Sequence, residues 1–167
     1  METQAAIISQ YRAALSMLRA AIERCPGEHW CNPAYTNRFW NVAYHALFFT
    51  DLYLCESDAA FKPWEKHRVD YQYLGPLWWD GNRVPAIGEP YTKEEVIEYL
   101  DFCERAVQER MARTELSAPS GFHWLPFGKL ELQFYNIRHI QHHAAQLIER
   151  LREDAGIAIE WVRGVPA

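Results

Sequence analysis

The run RFWNVAYHALFFTDLYLC, which follows Pro33 and ends at about Cys55, constrains the fold more than any other segment. With Thr36 or Asn37 as its cap it reads as one helix that is apolar nearly all round. Such a helix is buried on more than one side, which means the interior of a helical bundle, with a subunit interface as a further use for its outer face. Its most apolar part, 42–54, is interrupted by His45 and Asp51. It also falls short of the roughly 20 residues needed to cross a bilayer, so no membrane span is expected.

Three more helices are expected around it. Ile8, Tyr11, Leu15, Leu18 and Ile22 recur at three- and four-residue steps between Thr3, a candidate N-cap, and the breaker pair Pro26-Gly27. A helix over about 92–113 opens with the capping box T-K-E-E and runs through Val96, Tyr99, Leu100, Cys103 and Val107. The last spans about 129–154 and ends near Gly156, with the stripe Leu130, Phe134, Ile137, Gln141, Ala144, Ile148 and Leu151 as its expected core face. Between the second and third helices, 57–90 loses all periodicity and carries Trp64, Trp78 and Trp79 among prolines and glycines. It is too aromatic for disorder and too long for a plain connection, and it reads as packed cover. The tail IAIEWV either forms a short strand or lies on the helices. The expected fold is therefore all-α: one four-helix-bundle domain over 1–167, with a long Trp-rich loop and a short C-terminal extension.

Charge and composition narrow the partners. Lys and Arg number 17 against 22 Asp and Glu, a formal net charge of −5 and the wrong sign for a nucleic-acid binder. A length of 167 residues with 49% hydrophobic and 23% charged suits a globular domain with a sizeable core. The four cysteines form no CxxC pair, and METQAAIISQ lacks the basic start and apolar run of a signal peptide, so a cytoplasmic location is expected. Cys55 and Cys103 fall on helices and read as small core hydrophobes.

Chemistry is concentrated in the histidines. Of seven, three fall in RHIQHHAAQL on the fourth helix. His139 and His143 are four apart, so both rings leave one face about a turn apart, as a single metal ion requires from a helix. His142 turns away. The strip they occupy, shared with Asn136, Gln146 and Arg150, also has an ordinary reading as solvated surface. His45 sits alone in the apolar run, where an imidazole costs free energy unless its nitrogens find partners. Taken singly, each histidine has a structural explanation. Taken together, they offer the three neutral nitrogens of a mononuclear site with an open position, and imidazole alone does not select the metal. No Glu-x-x-His or HExxH is present. His29, His67 and His123 are isolated in loops and are expected at the surface.

FWNVAYHALFFTDLYL, the HxxxH element of RHIQHHAAQL and the closing EWV together resemble the DinB and YfiT superfamily of small metal-binding four-helix bundles. The resemblance implies one divalent ion, zinc or nickel, held by His45, His139 and His143. It implies a homodimer formed through helix faces. It also implies thiol transfer or isomerisation with a low-molecular-weight thiol acting on a small molecule. Two readings follow: a metal-dependent thiol transferase, isomerase or hydrolase whose second substrate lies under 57–90 against Trp64, Trp78 and Trp79, or a non-catalytic dimeric stress-response or binding module in which the metal is structural or absent.

Overall fold

The computed structural model describes residues 2–165, and these are helical with no strand among them. The helices are α1 (Glu2–Arg24), α2 (Gly27–Trp30), α3 (Phe39–Tyr53), α4 (Lys93–Met111) and α5 (Lys129–Ala155). Each long helix has two principal neighbours: α1 packs on α4 and α5, and α3 packs on the same two from the other side. The short α2, which the sequence pattern does not announce, packs on α3 and buries Trp30. None of the helices is long and apolar enough to cross a membrane.

The faces follow from the periodicity in α1 and α4. Ile8, Tyr11, Leu15, Leu18 and Ile22 are all buried, as are Val96, Tyr99, Leu100, Cys103 and Val107. The box at the start of α4 forms as expected: Glu95 N–H donates to Thr92 Oγ1 at 3.2 Å, and Thr92 N–H donates to Glu95 Oε2 at 2.8 Å. In α3 every residue is buried except His45 and Phe49, which are four apart and share one face. The helix begins at Phe39 with Arg38 as N-cap, slightly later than Thr36 or Asn37 would place it.

The buried face of α5 follows the expected stripe over its second half, where Ala144, Ile148 and Leu151 are buried, and is turned from it over the first. Leu132, Gln133, Asn136, Ile140, His143, Ala144 and Leu147 face inward, whereas Leu130 and Phe134 are exposed. The inward polar groups are each bonded to another helix or to their own. Tyr11 Oη donates to Gln133 Oε1 at 2.9 Å, and Asn136 Nδ2 donates to the Thr50 carbonyl at 3.2 Å. Hydrogen bonding, which a hydrophobic count ignores, decided the orientation.

Residues 57–90 form an ordered cover in which only part is packed. Trp64 is buried and lies flat on Tyr99, while Trp78 and Trp79 are exposed. Asp70, at φ +75°, accepts from the Arg83 guanidinium at 2.5 Å and from Ala86 N–H at 3.1 Å, and so closes the segment on itself. Beyond α5, which stops at Gly156 in the left-handed conformation (φ +66°), the tail makes no strand. It lies along α1 instead, with Arg24 donating to the Ala158 carbonyl at 2.6 Å, and Trp161 is exposed. Cys103 is buried as expected; Cys55 is half-buried, with Arg110 Nη1 at 3.2 Å from its sulfur.

Candidate metal centre

Helices α3 and α5 run antiparallel, because Thr50 meets Asn136 at one end and the Asn37 carbonyl meets Arg150 at the other. His45 of α3 therefore falls between these ends, opposite His139 and His143 of α5. The three rings converge. His45 Nε2 lies 3.0 Å from His139 Nε2, His143 Nε2 lies 3.1 Å from the same atom, and a ligand nitrogen of each residue is within 4.8 Å of the others. His143 is buried and the other two are half-buried. No carboxylate joins the group among the described residues. His142 stays outside on the exposed face, its ring edge-on to His143.

The far nitrogens fix what the near ones can do. His45 Nδ1 donates to the Gln72 carbonyl at 2.6 Å. A carbonyl only accepts, so Nδ1 holds the proton and Nε2 presents a lone pair. His143 Nδ1 donates to Gln146 Oε1 at 2.8 Å, with the same result. Burial, and then the neighbouring imidazoles, press the three toward neutrality. His45 is lowered to about 3, chiefly by burial and then by His143. His139 is lowered to about 2 by burial and then by His45. In His143 burial lowers the value to about 4 against the opposing bond to Gln146.

This donor set fits a divalent ion better than it fits itself. A proton on His139 Nε2 can serve one of the two flanking lone pairs and leaves the other facing nitrogen. A cation at the centre would engage all three. The 3.0 and 3.1 Å separations approach the roughly 3.3 Å kept by nitrogens about 2.0 Å from one tetrahedral ion. Phe49 closes the apolar side, with its ring 4.8 Å from that of His45 and 5.6 Å from that of His139. A cavity of about 400 Å³ lies at the α3 start, lined by Arg38, Trp40 and Asn41 on one side and Tyr73 and Leu74 on the other, and by none of the three histidines.

Of the residues the sequence singles out, His45, His139 and His143 are brought together, and the tryptophans are not at this point. His67 is half-buried rather than on the surface, its Nδ1 hydrogen-bonded with Tyr44 Oη at 2.7 Å, and His29 belongs to α2. His123 is exposed as expected. Sequence reasoning missed Gln72, whose contribution is a main-chain carbonyl, and Gln146, whose position three residues after His143 could have signalled it. Comparison with family models, with curated proteins and with solved structures finds no match to the chain.

Proposed function

We propose that the chain is a small metal-dependent enzyme built on a four-helix bundle of the DinB and YfiT kind, with His45, His139 and His143 holding one divalent ion, zinc or nickel. The observation that carries this reading is the convergence of three imidazoles held neutral by burial, one with its Nδ1 proton on a main-chain carbonyl and another with its Nδ1 hydrogen-bonded to the Gln146 side chain. An ion held by three such groups supplies Lewis acidity, lowering the pKa of a water or thiol at the position the protein leaves open. The partial exposure of His45 and His139 supports a site that a small molecule can reach over a closed structural one.

The chain's own residues would then do three things. Gln72 and Gln146 hold the His45 and His143 rings in one tautomer and one orientation. Phe49 excludes water from one side. The cavity at the α3 start offers the apolar walls of Tyr73 and Leu74 beside Arg38 and Asn41, dimensions suited to a small organic substrate. The reaction class we favour is thiol-dependent transfer or isomerisation with a low-molecular-weight thiol, with hydrolysis as its nearest relative, in a cytoplasmic homodimer.

Elemental analysis of untagged protein, prepared without chelator beside a His139→Ala, His143→Ala variant, tests the reading. About one zinc or nickel per chain, lost in the variant, supports it. Absence of metal in both, with none taken up on addition at neutral pH, moves the assignment to a non-catalytic module.

A further inference from the structure

Two of the three histidines have a partner for the nitrogen that faces away from the centre, and the third has none. His139 Nδ1 is buried without a hydrogen-bond partner among the described residues. If its Nε2 engages an ion, the proton must sit on Nδ1, so an N–H donor is buried with nothing to receive it. Three residues earlier, on the adjoining position of the same helix face, Asn136 is 0% exposed and its Oδ1 is likewise buried without a partner.

The orientation of that amide is set from the other side. Asn136 Nδ2 donates to the Thr50 carbonyl at 3.2 Å, and turning the amide over would place oxygen against oxygen. Thr50 itself is anchored, its hydroxyl donating to the Ala46 carbonyl at 2.7 Å. The free group of Asn136 is therefore an acceptor, and the free group of His139 becomes a donor. A buried orphan of each kind, three residues apart on one helix, is a rare arrangement unless the two are used together.

We infer that Asn136 is a positioning residue of the centre: its Oδ1 accepts the Nδ1–H of His139, directly or through one bridging water, as the Gln72 carbonyl and Gln146 Oε1 do for His45 and His143. The inference rests on the metal reading above. It gives every ligand ring a fixed acceptor, and it places the third acceptor on the residue that also ties α5 to α3.

Cobalt(II) titration of the whole protein tests this, read by visible absorption and by competition with a chelator of known affinity. Three variants are compared with the unchanged chain: Asn136→Leu, which keeps the size and removes the acceptor; Asn136→Asp, which keeps an acceptor; and Gln133→Leu, which removes another buried amide of α5. Asn136→Leu is expected to weaken cobalt binding about 10- to 100-fold and to alter the ligand-field bands. Asn136→Asp should recover part of that loss, and Gln133→Leu should stay within about threefold. In the zinc-loaded protein, proton NMR should show protected Nδ1–H signals for all three histidines, with that of His139 alone losing protection in Asn136→Leu. Cobalt binding by Asn136→Leu with unchanged affinity and spectrum would overturn the inference while leaving the metal site intact. Failure of the unchanged chain to bind cobalt would overturn the metal reading and this inference together.

Discussion

Trp64 lies flat against Tyr99, with ring centroids 4.7 Å apart and planes 10° from parallel, and this contact fastens the long segment 57–90 to α4. Tyr99 in turn donates to the buried Asp51 of α3 at 3.0 Å. The cover is thus continuous with the core at one point and free of it at another, since Trp78 and Trp79 are exposed.

That division has a measurable consequence. Trp64→Ala should cost about 3–5 kcal/mol in chemical denaturation, as for a large aromatic removed from a core. Trp78→Ala and Trp79→Ala should each stay within about 0.5 kcal/mol. If either exposed tryptophan contacts substrate, its removal should instead raise KM with stability unchanged.

The histidine centre makes the metal-free protein acid-sensitive. The folded-state values of about 3, 2 and 4 lie below the ordinary 6.5, so the unfolded chain binds protons that the folded chain refuses. The neutral rings are no burden above pH 6.5, and stability falls as pH drops below it, down through the folded-state values of about 4, 3 and 2. At pH 5 the loss is at most about 2 kcal/mol per histidine. Thermal melts in chelator from pH 7.5 to 5 should show the decline, and His45→Phe, His139→Phe, His143→Phe protein should show a shallower one.

Lys129 is a second lever on the end of α3. Its ammonium is buried and donates to the carbonyls of Cys55, Glu56 and Ser120 at 3.0, 2.9 and 2.5 Å, which uses all three of its protons. Lys129→Met leaves those acceptors without their donor and should cost about 2–4 kcal/mol in urea unfolding.

Gly121 sits at φ +85°, and a Cβ there would stand 2.0 Å from the Glu56 carbonyl oxygen. Gly121→Ala should therefore destabilise by about 2 kcal/mol or more, through strain and backbone displacement together. Gly27→Ala, where nothing lies within 4 Å, serves as the matched control in the same denaturation series.

Much of this architecture is legible in the residues themselves. The Thr92–Glu95 box, the α1 stripe and the i,i+4 pair His139 and His143 are local patterns, and each forms where the pattern puts it. The face of α5 is not legible in the same way. Leu130, Phe134 and Ile137 form the better hydrophobic stripe, but Gln133 and Asn136 have polar partners inside, His143 meets the other two histidines, and together they displace it. Trp64, Trp78 and Trp79 look alike in sequence because nothing local says which of them will meet an aromatic such as Tyr99.

The bond from His45 to the Gln72 carbonyl has an evolutionary corollary. The acceptor belongs to the main chain, so every amino acid at position 72 carries it, and a saturation scan of that position would pass it over. What can change is the path of the segment: an insertion or deletion near 70–74, or a substitution at Asp70 that lets the turn open, would shift the carbonyl and release the ring. Divergence at this centre is thus expected to be written in segment length and turn chemistry more than in the identity of the residue that makes the contact.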